Sequence, residues 1–330
     1  MLLGNKQLMK NALPGDPDGK YRSQITLGEE LKLSNDFGVT WRTIPVESGT
    51  AKCCTISGSG QYQVIAIEQA GKFAWKTSND YGQTFSAQVN TATYYEEESG
   101  DCSENGQYFY FYGKKGLHRS TNYGVTFTLM AKNLVYPNTT QCDATGQYIY
   151  VGSTHSSTYG GVYISTNYGA SFTQIASTII YRQSIGSVDC SRDNKYILSA
   201  ALSNTQLRRS IDYGATYHSK GIPGWGYMNA VVSGTGQYMT VACDDYLWRS
   251  TDYGNTWVKD TSIGRAVNRF SSAFKPYISF SGQYQGFTIG RYTFEYGYAS
   301  SDDYGATWTL ETQTTYVQRS CNQSSPIILE

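Results

Sequence analysis

The feature that most constrains the fold is an eight-residue motif that occurs seven times. The copies read SNDFGVTW, SNDYGQTF, STNYGVTF, STNYGASF, SIDYGATY, STDYGNTW and SDDYGATW. Their glycines follow one another at intervals of 44, 42, 45, 45, 40 and 51 residues, and repeats of about 40–50 residues are typical of β-propeller blades. We therefore predict that residues 1–330 form one all-β domain, a seven-bladed β-propeller with one motif in each blade.

The chemistry of the motif indicates a closed turn. The Asp or Asn at its third position can accept hydrogen bonds from the backbone N–H groups that follow it, and the glycine two residues later tolerates a positive φ. The last residue is aromatic and can be buried between neighbouring sheets. We assign a structural role, not a binding role, to the seven acceptors, which are Asp36, Asp80, Asn122, Asn167, Asp212, Asp252 and Asp303.

Two further markers recur in front of the motif. One is Gly-Gln-Tyr or a near copy of it, which reads as a hairpin turn that leads into a strand of aromatic and aliphatic residues. The other is a small or aliphatic residue four positions before that turn. Each blade is then predicted as strand A, the Gly-Gln-Tyr turn, strand B, strand C, the motif and strand D. The markers of the innermost strand A are Ile56, Cys102, Cys142, Cys190, Val232 and Ile278.

The two ends of the chain are predicted to meet in blade 1. Residues 317–321 match the pattern of strand A, but no motif follows them, and the first motif has only a poor strand A in front of it. We predict that residues 316–330 are a closing strand and tail, with the strand completing the four-stranded antiparallel sheet of blade 1 and covering an open sheet edge. Residues 1–17 are interpreted as an N-terminal extension.

Composition and charge exclude several functions. The 26 Lys and Arg residues equal the 26 Asp and Glu residues in number, so no net positive field favours nucleic acid. No segment reads as a signal peptide or a membrane span, which predicts a chain made in the cytoplasm and not inserted into a membrane. The seven cysteines and three histidines lack metal-ligand spacing. We predict neither a metal site nor a cofactor.

The motif S-x-[DN]-[YF]-G-x-[TS]-[WFY] resembles the BNR, or Asp-box, repeat from about residue 18 to the end of the chain. Such repeats occur in sialidases, other glycosidases, sortilin-type receptors and photosystem assembly factors, and the resemblance implies a structural box in a propeller. The combination of SGQY with STDYGxTW resembles propellers encoded by large DNA viruses and tailed phages. Because one fold serves many functions, the resemblance implies the fold more strongly than the activity.

A sialidase-like activity is not favoured. Sialidases carry an Arg-Ile-Pro motif on an early strand, whereas the similar run Arg42-Thr43-Ile44-Pro45 follows the first box, on a predicted outer strand D. Sialidases also have six blades. We predict a non-catalytic binding or structural module that is virion-associated or recognises a receptor or glycan. Two alternatives remain open: a glycoside hydrolase with axial carboxylates, and an intracellular assembly factor.

The candidate partner surface lies in the loops that approach strand A, where propeller pockets usually open. These loops combine aromatic residues with arginines, which suit a protein assembly or a glycan receptor as partner. The candidates are Tyr95, Tyr136, Tyr181, Arg182, Trp225, Tyr227, Arg269, Tyr316 and Arg319. On the opposite face, the aromatic residue before each box glycine is expected to pack over its own turn.

Overall fold

The architecture is a seven-bladed β-propeller. The computed structural model describes residues 20–25, 30–94, 99–113, 116–130, 134, 137–153, 160–175, 185–201, 206–222, 229–243, 246–261, 277–290 and 296–313. These residues contain 27 β-strands and no helix, and the strands form seven antiparallel sheets. Within the same ranges, therefore, no helix has the length and apolar character needed to cross a membrane. The predicted fold class is confirmed.

Six sheets have the four strands A to D in sequence order. The A strands are β4 (Thr50–Ile56), β8 (Ser99–Cys102), β12 (Pro137–Cys142), β16 (Ile185–Cys190), β20 (Asn229–Val232) and β24 (Tyr277–Ile278). The B strands of all seven blades are β1 (Arg22–Ile25), β5 (Gln63–Gln69), β9 (Phe109–Gly113), β13 (Ile149–Ser153), β17 (Ile197–Ala201), β21 (Met239–Cys243) and β25 (Gln285–Gly290).

The outer half of each blade consists of the C and D strands. The C strands are β2 (Leu31–Ser34), β6 (Lys72–Ser78), β10 (Gly116–Ser120), β14 (Gly161–Ser165), β18 (Gln206–Ser210), β22 (Tyr246–Ser250) and β26 (Tyr296–Ser301). The D strands are β3 (Arg42–Ile44), β7 (Val89–Tyr94), β11 (Thr128–Met130), β15 (Thr173–Gln174), β19 (His218–Gly221), β23 (Val258–Asp260) and β27 (Thr309–Gln313).

Blade 1 is described by its strands B, C and D, which are β1, β2 and β3. The predicted fourth strand at residues 317–321 lies outside the described residues, as do residues 1–17 and the tail to residue 330. The predicted strand closure of blade 1 therefore stays a prediction.

The order of the strands from the centre outward follows from their sequences. The A strands β4, β8, β12, β16, β20 and β24 contact one another in turn, which confirms that they are innermost. Strands β13 and β17 are buried at every residue because neighbouring blades cover both of their faces. The D strand β3 is exposed at its first two residues, as expected at the rim.

The last aromatic residue of the box is packed between blades in blade 3, as predicted, whereas Trp41 of the first box is 37% exposed. The ring of Phe127 in blade 3 lies 5.4 Å from Phe73 and 5.0 Å from Trp75, both in blade 2. It also lies 5.6 Å from Phe111 in its own blade. An aromatic cluster of this kind removes a large apolar area from water, so it stabilises the contact between the two sheets.

The last blade contacts the first through aromatic and cationic side chains. The guanidinium of Arg22 in β1 lies 4.9 Å from the ring centroid of Tyr284 in blade 7. Its Nη1 donates a hydrogen bond of 3.4 Å to the hydroxyl of Tyr277, and the ring of Phe37 lies 5.6 Å from that of Tyr284. The described residues thus bring blade 7 against blade 1 and complete the circle.

Candidate functional site

The nine loop residues predicted as a partner surface all lie outside the described residues. They are Tyr95, Tyr136, Tyr181, Arg182, Trp225, Tyr227, Arg269, Tyr316 and Arg319. That surface remains a prediction. The structure describes in detail the other face of the propeller, which carries the box turns and the Gly-Gln-Tyr turns, together with the axis.

The box turns are closed by short local hydrogen bonds. In blade 2 the backbone N–H and the hydroxyl of Thr84 donate to the carboxylate of Asp80 at 2.9 and 2.6 Å. The Ser78 hydroxyl donates to the same carboxylate at 2.7 Å and accepts the Gly82 N–H at 2.9 Å. Tyr81 and Gly82 have φ values of 62° and 75°, so the second of these positions suits glycine. Equivalent contacts engage Asp36, Asn122, Asn167, Asp212, Asp252 and Asp303.

These contacts keep the box carboxylates ionised. Burial alone would raise the pKa of Asp80, but the hydrogen bonds from Thr84 and Ser78 outweigh it and lower the pKa to about 2. At Asp212 the hydrogen bonds from Thr216 are the main cause of a lowered pKa. Asp36, Asp252 and Asp303 also have a lowered pKa. The carboxylates therefore serve as turn acceptors and place fixed negative charge on this face.

The role of the box acceptor is tested at Asp252. Its carboxylate accepts the Thr256 N–H at 2.9 Å and the Ser250 hydroxyl at 2.8 Å. Replacing Asp252 by Ala is expected to lower the free energy of unfolding by about 1–2 kcal/mol, because the turn loses its acceptor. Urea denaturation at neutral pH measures the loss.

Asp252→Asn is the control, since Asn122 and Asn167 already close the same turn, and it should cost little. Unchanged stability in Asp252→Ala together with lost partner binding would contradict the structural role.

The aromatic residues of the box face form pairs between blades. We expected each box ring to pack over its own turn, and the structure places six of these rings against the turn tyrosine of the preceding blade. Six such pairs lie in the described part of the chain, with ring centroids 4.5–5.6 Å apart: Tyr21–Tyr81, Tyr62–Tyr123, Tyr108–Tyr168, Tyr196–Tyr253, Tyr238–Tyr304 and Tyr284–Phe37. The signal that could have identified them is the presence of both rings in each repeat.

The turn glycine makes room for this pairing. Gly60 has a φ of 78°, and a Cβ atom placed on it would lie 2.0 Å from the Tyr21 ring of the preceding blade. A Cβ atom placed on Gly106, Gly236 or Gly282 would lie 2.8, 2.2 or 2.6 Å from the corresponding tyrosine of the preceding blade. At these four positions the backbone conformation and the covering ring both favour glycine, whereas blade 5 has Asn194 at the same position with a φ of 64°.

In the described residues, a series of backbone hydrogen bonds links the A–B turns of neighbouring blades from blade 2 to blade 6. The N–H of Gly58 donates to the carbonyl of Glu104, and the same contact recurs from blade to blade at 2.7–2.9 Å through Ala144, Arg192 and Gly234. The Nε of Arg192 also lies 3.4 Å from a carboxylate oxygen of Glu104. Burial alone would lower the pKa of Arg192, but the nearby carboxylates raise it.

Two buried aspartates join neighbouring A strands. The carboxylate of Asp101 accepts the Cys142 N–H at 2.8 Å. That of Asp189 accepts the Cys190 N–H at 2.9 Å and the Val232 N–H at 2.7 Å. Both aspartates hold an inner strand to the next blade, a contact that the sequence analysis missed.

The buried side chains along the axis are not arranged for thiol or metal chemistry in the described ranges. Burial raises the pKa of the thiols of Cys102, Cys142 and Cys190, so they stay protonated instead of forming a nucleophilic thiolate. Within those ranges, no group of three or more His, Cys, Asp or Glu residues is placed to hold a metal ion.

A groove of about 400 Å³ lies between blades 1 and 2 on the box face. Its walls are formed by the two box turns and by strands β2, β3 and β5. The lining residues are Leu33, Ser34, Asn35, Thr40, Arg42, Gln63, Tyr81, Gly82 and Gln83. Arg42 donates to the carbonyls of Gly82 and Gln83 in blade 2. It lies on the D strand, as predicted, and joins the two blades.

Comparison with known proteins agrees with this geometry. A family model for the BNR-Asp box repeat matches residues 247–261, which include the sixth box. No curated protein sequence matches the chain.

Solved structures show the same fold. The chain is similar to a GH74 xyloglucanase from Xanthomonas campestris, with a TM-score of 0.65, 15% identity and coverage of 94% of this chain and 55% of that one. It thus spans about half the length of the xyloglucanase. YCF48 bound to a D1 peptide matches with a TM-score of 0.58, 12% identity and coverage of 84% and 96%.

A functionally unknown protein from Desulfotomaculum acetoxidans matches with a TM-score of 0.71, 8% identity and coverage of 93% and 100%. Identities this low establish shared architecture and not shared activity. The chain is a seven-bladed β-propeller with a BNR-Asp box repeat match at residues 247–261.

Proposed function

We propose that the protein is a non-catalytic recognition module that binds a protein assembly or a glycan. The observation that carries this proposal is the use of the axial carboxylates. Asp101 and Asp189 accept backbone N–H groups of neighbouring blades, and Glu104 pairs with Arg192. Carboxylates held in this way maintain the contacts between inner strands, which supports a structural use of these groups.

A glycoside hydrolase is the second candidate, favoured by the fold shared with GH74 enzymes. Such an enzyme needs two carboxyl groups about 5–9.5 Å apart on either side of the scissile bond. One carboxyl group must also be able to donate a proton. The structural contacts of Asp101, Asp189 and Glu104 disfavour that role for them.

One comparison and one sequence resemblance support a macromolecular partner. YCF48, which shares the fold over most of its length, binds a D1 peptide in its solved structure. The sequence also resembles propellers of large DNA viruses and tailed phages, which supports a place in a virion or another large assembly. Purified particles or assemblies from the source should then contain the chain in a fixed ratio to their other components, as measured by quantitative mass spectrometry.

The purified protein is expected to release no product from sialyl, xylosyl or glucosyl reporter substrates, even in long incubations. The reason is that, in this proposal, the axial carboxylates hold strands together and do not react. Chromogenic release measures this outcome.

In the proposed loop surface, Tyr181→Ala or Tyr227→Ala should weaken partner binding by about 1–3 kcal/mol, as expected for aromatic hot spots.

Replacing Glu96, Glu97 and Glu98 together is the control and should change partner binding little, because the proposal assigns the binding energy to the aromatic side chains. Turnover that is lost when one of those glutamates, Arg182 or Arg269 is replaced would overturn the proposal, because only a reacting site depends so sharply on one positioned charge.

A further inference from the structure

The groove between blades 1 and 2 lies beside a position at which the blades carry different side chains. At the position just before the box serine, blades 3 and 5 carry Arg119 and Arg209, whose guanidinium groups donate to the carbonyls of Tyr168 and Tyr253 in the following blades. Blade 1 carries Leu33 at this position. A leucine is too short to donate to the next blade as Arg119 and Arg209 do, and Thr77, Ile164 and Ser300 of blades 2, 4 and 7 lack this contact as well.

The box glycines show the same difference. A Cβ atom placed on Gly254 would lie 2.8 Å from the Cδ atom of Arg209, which belongs to the preceding blade. The three atoms nearest to a Cβ on Gly82 all belong to Gln63 of its own blade. Arg42 bridges the junction from the outer strand instead, and the groove of about 400 Å³ remains beside it.

The inner end of the groove contains a polar group that lacks a partner. Gln63 is 2% exposed and its amide nitrogen donates to the Gly60 carbonyl at 3.1 Å, but its Oε1 has no hydrogen-bond donor in the described part of the chain. The equivalent Gln285 in blade 7 accepts the Thr240 hydroxyl at 2.6 Å. Blade 1 has Ser23 in place of Thr240, and its hydroxyl donates to the Cys54 carbonyl.

The walls of the groove combine one aromatic ring with neutral hydrogen-bonding groups. Tyr81 is 41% exposed, Asn35, Thr40 and Gln83 are exposed residues, and the Thr40 hydroxyl donates to the Asp36 carboxylate. The charge of Arg42 is directed at two backbone carbonyls. A ring for stacking beside a few convergent polar groups suits a ligand with one apolar face and several hydroxyl groups.

Charge further restricts the class of ligand. The box carboxylates of Asp36 and Asp80 belong to the two turns that form the groove, and the hydrogen bonds around them keep them ionised. An anionic ligand would meet unfavourable like charge from both. The volume is at the small end of the range of about 300–1,000 Å³ for small-molecule sites.

We propose that this groove binds a short neutral saccharide of one or two rings, such as the end of a glycan chain. The inference rests on the proposed recognition function and deepens it, because it names a ligand class and a site on the face opposite the predicted loop surface. The Tyr81 ring stacks on the sugar, and Asn35, Gln83 and the inner end at Gln63 contact its hydroxyl groups.

The test uses lactose, cellobiose and mannobiose as neutral probes and sialyllactose as the anionic probe, with binding followed by saturation-transfer-difference NMR and titration of the full chain. At least one neutral disaccharide is expected to bind saturably, and more tightly than sialyllactose. Leu33→Arg should weaken that binding at least tenfold, because arginine fills the groove. Ile164→Arg, the same change at the junction of blades 4 and 5, should leave it unchanged.

A second pair of variants covers the case in which Leu33→Arg does not fold. The double variant Asn35→Ala, Gln83→Ala removes exposed groups and should also weaken binding at least tenfold, whereas Asn79→Ala, at the Asn35 position of blade 2, should not. Failure of all three neutral probes, or unchanged binding in the double variant, overturns the inference. Product release from reporter substrates would overturn the non-catalytic function but not the inference about the groove, because the release assay does not use the four groove and control variants.

Discussion

Gly60→Ala is expected to lower the free energy of unfolding by about 2–5 kcal/mol. About 1–2 kcal/mol comes from placing a Cβ-bearing residue in the left-handed region, because Gly60 has a φ of 78°. A further 1–3 kcal/mol or so comes from overpacking, since the new Cβ would lie 2.0 Å from the Tyr21 ring. Urea denaturation followed by circular dichroism measures the loss.

Gly305→Ala is the matched control for the first prediction. Gly305 has a φ of 75°, and the nearest atom to its Cβ position is 3.4 Å away, so only the backbone cost of about 1–2 kcal/mol should remain. Adding Tyr21→Ala to Gly60→Ala should give a total loss smaller than the sum of the two single losses, because the clash is removed. Equal losses in Gly60→Ala and Gly305→Ala would show that the ring of the preceding blade does not require the glycine.

Acidification from pH 6.5 to 4 is expected to destabilise the protein by about 3 kcal/mol through His118 alone. His118 is 2% exposed in β10, with its ring 4.4 Å from that of Phe73 in blade 2. Burial lowers the pKa of His118 to about 4, whereas an unfolded histidine has a pKa of about 6.5. Between these values the unfolded chain binds more protons, so the free energy of unfolding falls as the pH falls.

The variant His118→Phe should flatten this part of the pH profile, because it keeps an aromatic ring against Phe73 and removes the titrating group. Urea denaturation at steps from pH 7 to pH 4 measures the slope. His218→Phe, on the exposed D strand β19, is the control and should leave the slope as in the unchanged protein. An unchanged slope in His118→Phe would contradict a buried His118 that is neutral in the folded protein.

The box aspartates act in a separate window below about pH 4, because a lowered pKa contributes stability that is lost only as the carboxylates become protonated.

The contacts that could be predicted from the sequence are those between residues close together in the chain. The Ser78, Asp80 and Thr84 contacts lie within six residues of one another, so the motif itself specifies the turn and its spacing specifies the number of blades. The aromatic residue at the last position of the box predicted a ring between sheets, and the structure places Phe127 there. The predicted loop surface depends on residues outside the described ranges and stays a prediction.

The sequence by itself determined the repeated turn, the strand order and the seven blades, because each depends on hydrogen bonds and alternation within one repeat. Only the tertiary structure decided which groups meet across a blade junction, since those partners come from different repeats and their contact depends on the geometry of the ring. Tyr21 covers Gly60 from the preceding blade, and Asp101 holds the Cys142 N–H of the next one. Leu33 lines a groove, whereas Arg209 bridges the equivalent junction of blades 5 and 6, because the reach of a side chain matters only after the neighbouring blade is in place.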